Sequence, residues 1–501
     1  MKQYDFLVVG SGFAGSITAM ALKQSGYDVC LVERERHPRF AIGESSTPIA
    51  DMILRTIAEK YNLPKLKQIS RYGTWQKNYP QVICGLKRGF SYYMHRQKEP
   101  FQPDAEHSRE LLVAASENDE NSDTNWLRSD VDHFLLKEAR ATGVECYEET
   151  EVQKVERVNE NKVWNIHLKS FEVSETVQCS WIIDATGSTA FSNRFLGTSA
   201  TTEGFHTHSS AIFSHFHNVP HWIDTLEELG AKSDDYPYLP DYSALHQVLE
   251  EGWMWMLRFN NGLLSAGIVL DGNDASYHAE LSNELLWNKI LQSYPSLSNL
   301  FENAVHAEMP GKFLETGRMQ RKLNRIYGEG WISLPHSGGF VDPLHSTGIA
   351  FTLSGVEKIL RLFEAGSISN DVQDGLQKYQ DDFFKELFLI DMLVSSSYYA
   401  RKSPKLFFAS TMLYFIASVR YEQGRLGGET PETFLCAGET SIRAIIEESL
   451  SEFKSWNQSG CDPESVKGII SSIRKRIAPF NNVGLMDPSA KNMYEHTAVV
   501  M

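Results

Sequence analysis

Phe6-Leu7-Val8-Val9-Gly10-Ser11-Gly12-Phe13-Ala14-Gly15 opens the chain as an apolar strand, a glycine turn and the start of a helix that reaches Gly26. Gly10 permits the tight turn, Gly12 lets backbone approach a pyrophosphate, and Gly15 lets helix and strand pack closely. A helix start of this kind, here Phe13 and Ala14, turns N–H groups and the positive end of a dipole toward phosphates. Asp28–Val32 reads as the second strand and ends in Glu33, placed to accept a hydrogen bond from a ribose hydroxyl. A glycine-rich turn without a ligand would carry the same glycines. The strand, the helix and the terminal acid at this spacing favour a dinucleotide cofactor.

Outward from that turn, 501 residues suffice for a large domain with appendages or for two to three domains. A formal net charge of -16 and a pI near 5.5 argue against nucleic acid as a partner, because phosphate contacts dominate such binding. Cys30, Cys84, Cys146, Cys179, Cys436 and Cys461 lack metal-site spacing, so neither a zinc site nor a disulfide scaffold is indicated. The first strand begins within a few residues of Met1 and leaves no room for a signal peptide, which points to the cytoplasm. Leu406–Val419 is apolar but short and broken by Ser and Thr, so it predicts a packed helix and no membrane span.

No fixed-period repeat is present. The acidic run Glu117–Asp123 reads as a solvated loop. Leu127–Gly143 has helical spacing with Arg128 and Asp130 at its start. Val163–Leu168 and Thr176–Cys179 read as paired strands, and Trp181–Asp184 as a buried strand that turns at Gly187. Gly330–Phe363 is a second strand-turn-helix unit, and from about residue 371 the pattern is helical, closing in an extended tail. The fold class is therefore α/β, with a discontinuous nucleotide domain over 1–75, 126–190 and 306–370. A sheet-rich substrate domain takes 76–125, which carries Lys87, and 191–305, and a helical region takes 371–501.

Four further segments carry a resemblance. Pro38-Arg39-Phe40 with Gly43-Glu44-Ser45-Ser46-Thr47-Pro48, then Leu127-Arg128-Ser129-Asp130, Gly252-Trp253-Met254-Trp255-Met256-Leu257 and Gly339-Phe340-Val341-Asp342-Pro343-Leu344-His345-Ser346-Thr347-Gly348 follow one another in order. The chain to about residue 365 resembles the flavin-dependent halogenases, and Asn482–Pro488 is similar to the tail of some members. The resemblance implies a glutathione-reductase-like, Rossmann-type FAD-binding domain with an inserted mixed β-sheet substrate domain and a helical C-terminal region. It implies FAD, used as FADH2 from a separate NAD(P)H-dependent flavin reductase, and chloride or bromide as co-substrate. No second glycine fingerprint for NAD(P)H is found, which agrees with a separate reductase.

By the same resemblance, Arg39, Ser45, Ser46, Arg128, Asp184, Gly187, Asp342, Gly348 and Ile349 join the glycine turn and Glu33 around FAD. Arg128 offers a planar fork of donors, although a salt-bridge arginine has the same residue type. Asp184 and Gly187 also fit a purely structural turn, and Ser346 also fits an ordinary helix cap. Ser346, Thr347 and Gly348 open a helix whose N–H groups suit a halide. Lys87 is the lysine that halogenases hold between cofactor and substrate cavities, where an ammonium polarises hypohalous acid or a buried neutral amine carries the halogen. As a bare Lys-Arg pair beside apolar strand residues it more often reads as an exposed face. Trp253 and Trp255 lie two apart on a strand and face one side; they wall the flavin from the substrate or simply fill core.

Two departures stand out. Leu257-Arg258 replaces the Ile-Pro of many members, so Arg258 puts the wall's backbone, and the exclusion of substrate oxygenation, in question. His345 stands where relatives acting on free tryptophan carry a glutamate base, which points to a phenol or pyrrole substrate, free or tethered to a carrier protein, with His345 as proton acceptor or as a structural histidine. Tyr398, Tyr399 and Phe415 are further candidates to touch substrate. Two other readings share the scaffold: an FAD-dependent monooxygenase or dehydrogenase, and a non-catalytic FAD-binding protein serving a partner enzyme.

Overall fold

A computed structural model describes residues 1–158, 162–170, 174–273, 281–364 and 370–495, so the end of the extended tail, 496–501, lies outside the described residues. The first strand, Gln3–Val9, is the centre of a parallel sheet, between Ser174–Asp184 on one side and Val29–Val32 on the other. Its last four residues are buried and apolar without alternation, as a strand covered on both faces requires. Trp331–Ser333 and Glu145–Tyr147 extend the sheet on its two sides, so five separated stretches of sequence build one layer.

The second sheet is mixed. Ser209–His217, Leu264–Asp271, Gly252–Arg258 and Ala244–Val248 run antiparallel in that order, and Gly89–Met94 joins Ala244–Val248 in parallel. Glu110–Ala114 follows, and the tail strand Met493–Tyr494 closes this edge. Successive residues face opposite sides. Tyr93, Leu112, Met254 and Met256 point into one core with Trp222 and Trp287, whereas Phe90, Tyr92, Trp253 and Trp255 point into the main core shared with the helices.

Asn370–Ala400 and Pro404–Leu426 are the long helices that cover this second face. Leu406–Val419 is buried throughout the latter helix, which packs Phe407, Tyr414 and Phe415 on the rings of Phe90 and Tyr92. No helix among the described residues is long and apolar enough to cross a membrane.

Between the two sheets lies a short ribbon, Cys84–Lys87 paired antiparallel with Asp123–Trp126. Only Arg88 separates Lys87 from the strand beginning at Gly89. A β-carbon at Gly89 would stand 2.0 Å from the Val113 carbonyl oxygen, so the chain can make this passage only with glycine. The ribbon corrects the reading of Glu117–Asp123 as a solvated loop. Residues 117–121 are exposed, but Ser122 and Asp123 are buried because pairing with the lysine strand draws them inward.

Candidate active site

The glycine turn is built as its spacing requires. Gly10 has φ +101°, and a β-carbon at Gly15 would lie 1.9 Å from the Gly10 carbonyl oxygen, so strand and helix meet at backbone distance. The helix Phe13–Gln24 has no side-chain cap and no acid in its first turn. Glu33 accepts from the Ser11 backbone N–H at 3.0 Å and from Arg39 at 3.1 Å. Burial works to raise its pKa, but Arg39 and the N–H groups of Ser11 and Glu35 hold it below the ordinary value. Arg128 is bidentate on Asp132 and donates its third nitrogen to the carbonyls of Ile42 and Gly43. Its fork therefore ties the Arg39–Ser46 segment to the helix Arg128–Ala141. A β-carbon at Gly12 would stand 3.3 Å from Arg128, so this glycine leaves the floor open beside the guanidinium.

The segment after the cradle keeps its polar atoms open. Ser45 Oγ, Thr47 Oγ1 and both amide atoms of Asn125 are buried without a hydrogen-bond partner. Ser45 and Asn125 are cross-strand bridge partners, and the Ser46 N–H donates to the Thr124 carbonyl. A cradle that only glycine can line, beside buried hydroxyls and an amide lacking partners, fits a large polar cofactor such as FAD.

Lys87 is fully buried. Its ammonium reaches across the ribbon to donate to the Ser46 carbonyl and stands 4.0 Å from the centroid of Phe90. Burial pushes its pKa down, and the Asp123 carboxylate opposes that shift. Phe90 begins an aromatic chamber. Tyr92 stacks on His246 at 4.4 Å, His246 lies 5.3 Å from Trp253, and Tyr414 stacks on His345 at 4.9 Å with rings 5° from parallel. Neither ring nitrogen of His345 and not the Tyr92 hydroxyl has a hydrogen-bond partner. Burial pushes His345 down to about 3 against a weaker upward pull from the Leu393 backbone, so the imidazole is neutral and able to accept a proton.

His345 leads directly into the helix Thr347–Leu362. Ser346 holds φ 51° and ψ 30° and makes no side-chain cap, so this helix opens with its N–H groups facing a buried space. A small cleft there is lined by His336, Phe340, Asp342, Thr347 and Gly348, and Ile349 is buried behind it. An anion is the chemistry such a helix start favours.

The family described as tryptophan halogenase matches residues 127–409, and the family described as FAD-dependent oxidoreductase matches residues 5–225. The chain belongs to the tryptophan halogenase family. It is 26% identical over 358 residues to tetracycline 7-halogenase of Kitasatospora aureofaciens, covering 70% of this chain and 61% of that protein. It is equally 26% identical to monodechloroaminopyrrolnitrin halogenase PrnC of Pseudomonas fluorescens, covering 70% of this chain and 60% of that protein. The matched part thus spans about three fifths of these curated relatives. Among solved structures, halogenase PltM in complex with phloroglucinol and FAD shares the fold at a TM-score of 0.86 and 23% identity, over 98% of this chain and 99% of PltM.

In this member of the tryptophan halogenase family, the paired tryptophans are 6.2 Å apart and face the main core. Trp253 touches His246 of the chamber and donates its indole N–H to the Tyr398 hydroxyl at 3.2 Å. Tyr398 in turn donates to Asp342 at 2.9 Å, as does Ser209 at 2.6 Å. Oδ2 of Asp342 serves this tyrosine and serine, and Oδ1 serves the Leu344 N–H. Burial raises its pKa to about 6 in spite of those donors. Tyr398 is thus a strut between partition and helix start. Tyr399 supports Asn457 through its carbonyl, and Phe415 packs on Phe90.

Arg258 points away from the wall. It shares its strand face with Met254 and Met256, opposite Trp253 and Trp255, and bonds the carbonyls of Val219 and Pro220. Asp184 closes its own turn through Thr186 and Ser192, and the Gly187 N–H donates to Ser337. The sequence reading missed Phe90, Tyr92, Asp123, Asn125, His246, His336 and Tyr414. The alternation in Asp123-Thr124-Asn125-Trp126 and in Phe90-Ser91-Tyr92 was the available signal, but it does not say which strands meet.

Proposed function

We propose that the protein is a flavin-dependent halogenase that places chlorine or bromine on an electron-rich aromatic ring, a phenol or a pyrrole, free or carried on a protein. The observation that carries this reading is the burial of Lys87, anchored on the Ser46 carbonyl beside the cofactor cradle and facing the Phe90 chamber. Reduced FAD, when bound, would give two electrons to O2, which takes two more from halide to yield hypohalous acid, water and oxidised FAD. The cradle from Gly10 to Gly15, with Glu33, Arg39 and Arg128, would hold that cofactor, and the N–H groups of Thr347 and Gly348 would gather the halide. Trp253, braced by Tyr398 and Asp342, keeps the organic ring on its own side. Lys87 takes the hypohalous acid by hydrogen bond or as its haloamine and presents the halogen to the ring. His345, neutral and without a partner, accepts the proton that the ring gives up on substitution. The enzyme works in the cytoplasm beside a separate NAD(P)H-dependent flavin reductase.

A relative supports a tethered substrate as a candidate: a brominase of pyrrole-2-carbonyl carried on a peptidyl-carrier protein, from Pseudoalteromonas luteoviolacea, is 25% identical over 76% of this chain. The test combines purified protein, a flavin reductase, NADH, FAD, chloride or bromide, and a panel of phenols and pyrroles read by mass spectrometry. The wild type yields products with a paired halogen isotope pattern; Lys87→Ala binds FAD and yields none. Products that gain one oxygen and no halogen overturn the reading.

A further inference from the structure

Asp123 is a buried acid that the scheme above does not use. It begins the strand paired with the lysine strand, and the register sets Lys87 directly opposite it. Opposed residues in an antiparallel pair project to the same face with β-carbons about 5 Å apart. Both side chains are buried, Lys87 at 0% and Asp123 at 2% exposure, and Asp123 Oδ2 has no hydrogen-bond partner. Burial pushes the Asp123 pKa up to about 7 and the Lys87 charge pulls it back, so this acid ionises only with the help of that buried cation.

The other charged and titratable groups that act on Asp123 come from two helical elements and one loop. Asp51 and Arg71 face it, but they are paired with each other at 2.8 Å. Tyr414, from the helix Pro404–Leu426, contributes a phenol. Around Lys87, His246 is held neutral by burial, which leaves Asp123 as the acid that acts on the amine. The same strand bridges Ser45 through Asn125, so the lysine, its acid and the segment that accepts the lysine's N–H form one small sheet.

We infer that Asp123 is the positioning residue of the active-site lysine: opposite Lys87 on one face of the ribbon, its carboxylate is the buried counter-charge toward which the Lys87 side chain is set. This rests on the role given to Lys87 above. Its consequence has one sign whichever form reacts. Without the negative charge, Lys87 loses its proton at lower pH, so the limb of kcat/KM that Lys87 governs moves downward.

The experiment compares wild type, Asp123→Asn and Asp123→Glu on a halogenated phenol product across pH, with FAD affinity measured alongside. Asp123→Asn is expected to shift the Lys87 limb down by about one pH unit, the low end for loss of a neighbouring opposite charge. FAD affinity stays as in wild type, and Asp123→Glu restores most of the profile. An unshifted profile overturns the inference. A second readout needs no catalysis: melting temperatures of Lys87→Met, Asp123→Asn and the double variant. Each single change strands a buried group, so the double variant is expected to lose less than the two losses added together. Additive losses overturn the pairing. A wild type that halogenates nothing removes the proposed function, and the melting cycle still decides the pair.

Discussion

The cofactor cradle and the lysine chamber treat their polar groups in opposite ways. Around the cradle, Glu33, Arg39, Arg128 and Asp132 bind one another and the backbone, and the floor is shaped by glycines that tolerate no side chain. In the chamber, His345 and Tyr92 keep buried polar atoms without partners among aromatic rings, and Asp123 does so on the ribbon beside it. The first region is a rigid fixture whose parts stabilise one another. The second keeps unsatisfied groups for a ligand and gives up stability to do so.

The largest expected effect comes from the fixture. Gly15→Ala drives a β-carbon into the Gly10 carbonyl at 1.9 Å, so FAD binding is lost and folding weakens by about 3 kcal/mol or more. Flavin fluorescence and thermal unfolding read both losses, and they fall together. In the chamber they part. His345→Phe removes two ring nitrogens that lack partners, so the melting temperature rises by the equivalent of about 1–3 kcal/mol. Halogenation under the same change drops by roughly 100-fold, as for a lost general base. A variant that loses stability and activity together would erase the contrast between the regions.

Acid sharpens the same contrast. His95, His246, His336 and His345 are buried with pKa values pushed down to about 4, 3, 3 and 3. Because the folded values lie below the unfolded value of about 6.5, the unfolded chain binds more protons in this window. Stability is therefore present above about pH 6.5 and is lost as pH falls, by up to roughly 1.4 kcal/mol per histidine for each unit. Asp342 and Asp123, raised to about 6 and about 7, work the other way: their stabilising contributions are present below about pH 4 and are lost as pH rises through 6 and 7. Four histidines outnumber two acids, and the acids' gain is complete by about pH 4, so melting temperature should fall below pH 6.5; a flat profile would count against neutral, buried histidines.

Smaller effects test the partition. Tyr398→Phe removes the hydroxyl between Trp253 and Asp342, costs about 1 kcal/mol, and lowers halogenation a few-fold with more peroxide released per turnover. Arg258→Ala is expected to leave product and rate unchanged while loosening the 219–220 turn, since its bonds run away from the tryptophans. An oxygenated product from that variant would return Arg258 to the wall.

Local spacing was enough for the cradle. Gly10, Gly12, Gly15 and Glu33 lie within 24 residues of one another, and steric rules acting over that distance fix the turn. The tryptophan pair was legible for the same reason, because alternation along one strand puts both on one face. Asp123 was read in the wrong setting, since an acidic run is soluble by composition and only pairing with Cys84–Lys87 buries its last residue. Lys87 itself was ambiguous until two strands, a helix and the Ser46 carbonyl closed around it.

By itself the sequence determined the nucleotide-binding turn, the α/β class and the order of the segments that mark the family, because each depends on neighbours along the chain. Tertiary structure alone decided which acid faces the lysine, which rings enclose it and where Arg258 points. Those contacts join residues far apart in the chain, and only packing two sheets against the C-terminal helices brings them within reach of one another.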